Sequence, residues 1–118
     1  MEKQGKVAIW VGNFDSEEKF MDLMRENYTE DGDLNSLFME AFTIDYIDSQ
    51  FQEILFIENN TDVLNLITPL SYAETFKTNL ASSVLQGNSI VALFNFEYDK
   101  SVIETDALSF VGNYDYKD

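Results

Sequence analysis

Apolar residues first gather in Lys6-Val7-Ala8-Ile9-Trp10-Val11-Gly12, a run rich in β-branched and aromatic side chains and closed by Gly12-Asn13. That composition predicts a strand. The run hardly alternates with polar residues, so both of its faces are expected to be covered, as in a central strand. Trp10 is assigned to the core. Asp15 and Glu18 then fit a capping box, and Phe20, Leu23, Met24 and Tyr28 follow at helical spacing; together they predict an amphipathic helix of roughly three turns. Glu30-Asp31-Gly32-Asp33 reads as a turn, and Leu37, Phe38, Ala41 and Phe42 place a short second helix within 34–42.

The middle of the chain is less regular. Ile54-Leu55-Phe56-Ile57 looks like a short strand, and 59–62 turns the chain. Val63 to Leu70 is read as a further short strand or an irregular connection, interrupted by Pro69. A second capping box, Ser71 with Glu74, precedes Tyr72, Phe76, Leu80 and Val84 at four-residue spacing, which predicts a helix over 72–85 ended by Gly87-Asn88. Ser89 to Tyr98 alternates, with Ile90, Ala92, Phe94, Phe96 and Tyr98 on one side and Val91, Leu93, Asn95 and Glu97 on the other. A last strand over 107–114 is expected to pair with it as an antiparallel hairpin. Val11-Gly12-Asn13-Phe14 recurs as Val111-Gly112-Asn113-Tyr114, and both are expected to end strands in residues that tolerate left-handed backbone. The pattern describes one small α+β domain over 1–118, an antiparallel or mixed sheet of about four strands covered by two or three helices.

Composition narrows the chemistry. Neither cysteine nor histidine occurs among the 118 residues. Disulfides, thiolate nucleophiles, His/Cys zinc sites and the commonest general base are therefore excluded together. There is no G-x-S-x-G elbow and no glycine-rich phosphate loop. The acids at 30–33 do not have the alternating spacing of a calcium loop. Carboxylate pairs exist, Asp45 with Asp48 and Glu30 with Asp31, but each would need burial or close like-charge pairing to reach a catalytic pKa. No cofactor or metal is expected, and no enzymatic activity. The N-terminus lacks a basic segment followed by an apolar core, and no apolar run approaches membrane-spanning length, so a cytoplasmic protein without membrane contact is expected.

Charge changes the picture most. Twenty-two acids against seven bases give a formal charge of −15. Between Arg25 and Lys77 no base occurs, while eleven acids do. A one-sign surface repels nucleic acid and speeds encounter with basic partners. Many soluble proteins are acidic for solubility alone; the base-free middle is what favours a functional acidic face. Direct nucleic-acid binding is not expected. A basic protein, itself a nucleic-acid binder, is a fitting partner.

The segment Lys6-Val7-Ala8-Ile9-Trp10-Val11-Gly12-Asn13-Phe14-Asp15-Ser16-Glu17-Glu18 resembles the immunity protein 22 family, with further similarity at Asp45-Tyr46, Phe51-Gln52-Glu53 and Ser71-Tyr72-Ala73-Glu74-Thr75-Phe76. The resemblance implies a small α+β protein encoded beside a bacterial polymorphic or contact-dependent toxin, which binds that toxin and protects the cell. It carries no catalytic residues with it.

The expected function is thus that of an immunity protein that binds a cognate toxin domain, with a nuclease as the first expectation. Glu30, Asp31, Asp33, Glu40, Asp45, Asp48, Glu53 and Glu58 would meet its lysines and arginines, and Tyr46 and Phe51 would anchor a desolvated centre. Two alternatives stay open: a DNA-mimicking inhibitor of a DNA-binding enzyme, and a carboxylate-dependent hydrolase or metal-binding protein.

Overall fold

The computed structural model describes residues 2–45, 47–60, 62–81, 86–99, 101–105 and 108–117, without the side chains of Glu2 and Ala81. Its frame is a four-stranded sheet made of β1 (Glu2–Gly12), β4 (Gln52–Phe56), β5 (Ser89–Phe96) and β6 (Leu108–Asp115), in the order β4-β5-β1-β6. Every neighbouring pair is antiparallel. A two-stranded ribbon, β2 (Asn27–Tyr28) with β3 (Leu34–Asn35), lies outside it. The helices are α1 (Glu17–Met24), α2 (Leu37–Ala41), α3 (Val63–Ile67) and α4 (Ala73–Ala81). The expected α+β class holds; among the described residues the helices number four rather than two or three.

The unbroken apolar run of β1 has the reason anticipated for it. Ala8 and Trp10 join one core, with Phe20 and Met24 of α1, Phe38 and Met39 of α2, and Val91 and Leu93 of β5. Val7, Ile9 and Val11 join a second core on the opposite face, with Leu66 and Ile67 of α3, Phe76 and Leu80 of α4, and Ile90 and Ala92 of β5. A central strand buried on both faces is stabilised twice over, at about 25 cal/mol for each Å² of apolar surface withdrawn from water. Trp10 is fully buried, its ring packed against Phe38, Phe42, Tyr98 and Phe110 at centroid distances of 5.0–5.7 Å.

Several expectations need correction. The last strand pairs with β1, not with β5, so no β5–β6 hairpin forms. Val63 to Ile67 is a helix, not a strand: the Asp62 carboxylate accepts from the Leu64 N–H at 2.9 Å and starts it. The first helix is two turns long and is capped by Ser16, whose Oγ accepts from Lys19 N; Asp15 pairs with the Lys19 ammonium instead. Tyr28 lies beyond that helix, on β2, and is 77% exposed. The second capping box does not close either. Ser71 donates its backbone N–H to Glu53, Glu74 pairs with Lys77, and α4 starts at Ala73, after Tyr72 has taken a φ of 56°. Residues 82–85, in the expected last turn of that helix, lie outside the described residues.

The alternation of β5 also breaks. Ile90, Ala92 and Phe94 face α3 and α4, as expected together, but Phe96 and Tyr98 belong to the opposite core with Val91 and Leu93. Asn95 is the cause. It sits at φ 57°, a left-handed conformation that asparagine tolerates, and the β1–β5 register slips between the pairs Val7–Phe94 and Glu2–Phe96. The Asn95 Oδ1 accepts from Gly5 N at 3.2 Å and from the Tyr116 hydroxyl at 2.5 Å, which secures the bulge. The repeated Gly-Asn motif marks no common strand end. Gly12 closes β1, whereas Gly112 and Asn113 lie inside β6, and neither glycine has positive φ.

Candidate functional site

The site arises from unequal strand lengths. β4 has five residues and β5 eight, and the last β4–β5 pair is Gln52 with Leu93. From Phe94 onward β5 therefore keeps β1 on one side and has no β4 partner on the other. The segment that follows α2 covers this end of the sheet, and between them lies a cleft of about 350 Å³. Ile44, Ile47, Phe51, Leu93, Phe96 and Tyr98 give it apolar walls, and Asp45, Asp48 and Asp99 add three carboxylates. Phe51 is 39% exposed, so part of its ring stays open to solvent.

Local chemistry fixes each wall. The Asp48 carboxylate accepts from Gln50 N at 3.1 Å and caps the 3₁₀ turn Ser49–Phe51 that presents Phe51. The Tyr98 hydroxyl donates to the Phe42 carbonyl at 2.6 Å and accepts from Val102 N at 3.1 Å, tying the end of α2 to the loop after β5. The Thr43 and Ser101 hydroxyls meet at 3.0 Å across the same junction. The Asp99 carboxylate accepts from Ser101 N at 2.9 Å. The Ser101 backbone N–H and then its hydroxyl hold the Asp99 carboxyl below the usual carboxylate range, so the negative form is favoured at the cleft.

The residues expected to bind a partner are thus divided. Asp45, Asp48 and Phe51 converge on the cleft. Glu30, Asp31 and Asp33 are exposed on the loop that joins β2 to β3, directly beyond the pair Tyr28–Leu34. Glu40 is exposed on α2 and accepts from the Asn35 side chain at 3.1 Å. Glu53 pairs with Ala92, on the side of the sheet that faces α3 and α4, where it holds the Ser71 amide at 2.9 Å. Glu58 is exposed after the far end of β4, away from the cleft. Tyr46 lies outside the described residues. Asp99 and Tyr98 were missed. Asp99-Lys100-Ser101 does carry the signature of an Asx turn, but nothing in the sequence brings it beside Asp48, about fifty positions away.

The charges are unevenly satisfied. Lys3, Lys6, Lys19, Arg25 and Lys77 each pair with a nearby acid: Glu97, Asp115, Asp15, Asp22 and Glu74. Among the described residues no ion pair reaches any acid between 26 and 62, nor Asp99. Also among the described residues, no group of three or more acidic side chains is placed to hold a metal ion, and no helix is long and apolar enough to cross a membrane.

An antiparallel sheet clad by helices on both faces, with an apolar cleft lined in part by three aspartates at one end, defines a small α+β protein. The Immunity protein 22 family model matches residues 7–117, nearly the whole chain, and the protein belongs to that family. No curated protein and no solved structure gives a significant match.

Proposed function

We propose that this protein neutralises a toxin domain by binding it, without catalysis, and that its acidic surface makes the contact. Membership of the Immunity protein 22 family supports the class of function. The observation that carries the mode is the accumulation of acids over 26–62, unpaired with any described base and partly gathered around an apolar cleft. Such a surface recognises a basic protein, a nuclease domain first among them, and steers its approach. An exposed ring such as Phe51 supplies the apolar anchor that charge alone does not.

The test has two stages. The tagged protein is exposed to a lysate of its native organism at low and moderate salt, and bound chains are identified. The dominant partner is then expressed in a host cell with and without this protein. One basic polypeptide, released as salt rises and toxic unless this protein is present, is the expected result. Retention of many unrelated DNA-binding proteins, displaced by duplex DNA, would overturn the reading in favour of DNA mimicry.

A further inference from the structure

The cleft is more specific than an acidic surface. Its walls are apolar and its rim carries three carboxylates, Asp45, Asp48 and Asp99, from two segments far apart in sequence. Its volume of about 350 Å³ is at the small end of the range for ligand pockets, roughly 300–1,000 Å³. A long side chain with an apolar stem and a charged head fits that description, because the stem can lie on Phe51 and Ile47 while the head reaches the rim. We propose that the cleft receives an arginine side chain from the partner protein. This rests on the neutralisation reading and identifies where and by what chemistry contact is made.

Arginine is favoured over lysine by the spread of acceptors. Asp45 and Asp48 come from one segment and Asp99 from another, and the edge of β5 beyond Leu93 has lost its β4 partner, so more than one element offers acceptors to the cleft. A planar guanidinium with five donors can serve more than one of them at once, whereas an ammonium acts as a compact point charge. The exposed Phe51 ring also offers a face on which a guanidinium can stack. Among the described residues no ion pair holds any of the three carboxylates.

The ¹⁵N-labelled full chain is titrated with N-acetyl-arginine-N-methylamide, and with the neutral citrulline and the lysine equivalents. The variant Asp45→Asn/Asp48→Asn/Asp99→Asn removes the charges, yet asparagine keeps the oxygen that accepts from Gln50 and Ser101. The variant Glu30→Gln/Asp31→Asn/Asp33→Asn removes the same charge from the ribbon. Saturable shifts of the amides at 43–45, 47–51 and 93–99 are expected with arginine, weaker with lysine and absent with citrulline. The cleft variant should bind arginine at least about tenfold more weakly, the loss of one charge-assisted hydrogen bond or more, and the ribbon variant should bind as the parent does. Equal shifts with citrulline, equal affinity for lysine, no saturation, or equal weakening in both variants would each overturn the proposal. The neutralisation reading is judged separately by toxin suppression in cells: suppression without arginine binding removes the cleft proposal alone, and arginine binding without suppression removes the neutralisation reading.

Discussion

The side chain of Asn113 grips the backbone of Tyr98 at both of its polar groups: Oδ1 accepts from Tyr98 N at 2.8 Å, and Nδ2 donates to the Tyr98 carbonyl at 2.9 Å. One amide side chain thus acts as a strand partner for a residue just past the end of β5, next to Asp99 and at the wall of the cleft. Asn113→Ala leaves both buried-side groups of Tyr98 to find other partners, and is expected to cost about 1–3 kcal/mol in denaturant unfolding. Asn113→Asp keeps the acceptor but sets a carboxylate against the Tyr98 carbonyl, so it should be no better tolerated. In both variants, amide exchange at 98–103 should accelerate more than exchange in β1.

Gly87 is required by crowding, not by backbone conformation. A Cβ placed there would lie 2.6 Å from Val11 Cγ1 and 2.7 Å from the Gly12 carbonyl oxygen. One of these neighbours is backbone and cannot swing away. Gly87→Ala is therefore expected to lose about 1–3 kcal/mol of stability through overpacking, measured as a lower denaturation midpoint.

Trp10 places its indole Nε1 in the core with no hydrogen-bond partner. Rings surround it, and an N–H against a π face recovers only part of what a true acceptor would give. Trp10→Phe removes the unsatisfied donor together with some packing volume, and the two effects oppose each other. A loss of about 1–2 kcal/mol is expected, against about 3–5 for Trp10→Ala. Circular dichroism on urea unfolding compares the two; a Trp10→Phe loss well above about 2 kcal/mol would mean that removing the unpaired donor offsets little of the lost packing.

Acid should reveal the Lys6–Asp115 pair, whose atoms are 2.8 Å apart. The hydrogen bond from Lys6, and then its charge, hold the Asp115 carboxyl below its usual 3.8. A depressed folded value means that the contribution is present above 3.8 and is lost as pH falls through the lower folded value. The Lys6 ammonium is raised above 10.5 by the same bond, so its contribution is present below 10.5 and disappears at more alkaline pH. Asp115→Asn is expected to be less stable than the parent at pH 7 and indistinguishable from it once the parent carboxyl is protonated. Parallel denaturation curves at neutral and strongly acidic pH check this.

Salt should act on folding and on binding in opposite directions. At −15 the folded chain repels itself, so added salt screens that repulsion and raises the melting temperature. The same screening weakens attraction to a basic partner and slows association. Melting curves and association rates over one salt series test both signs. A melting temperature that falls with salt would show that the local ion pairs outweigh the general repulsion.

Much of the frame was legible because it depends on local pattern. The even hydrophobicity of Val7 to Val11 led to a strand covered on both sides, and Trp10 to the core. What escaped depends on single residues or on distant pairing. Asn95, read as one more step of an alternating strand, reverses the faces of everything after it. Val63-Leu64-Asn65-Leu66-Ile67 is too short to show a helical period, and its β-branched ends point the other way; Asp62 was the available signal. The pairing of β6 with β1 joins segments about a hundred residues apart, and no local rule encodes it. Of the residues that line the cleft, Asp45 and Asp48 were named from charge and Phe51 from its aromatic ring, whereas the place of Asp99 depends on where β4 stops.

The early stop of β4 leaves charged and buried residues side by side at one end of the sheet. The two cores take residues from β1, β5, β6, the helices and, at Ile44, Ile47 and Tyr98, the connecting segments themselves, while the neighbouring Asp45, Asp48 and Asp99 line the cleft at the end of the sheet. On the proposed reading, exchange of these carboxylates for asparagine changes the charge offered to a partner while the bonds to Gln50 and Ser101 are kept. Under the proposed neutralisation, a change of partner can be met by substitution at these three positions while β1 and β5 stay as they are.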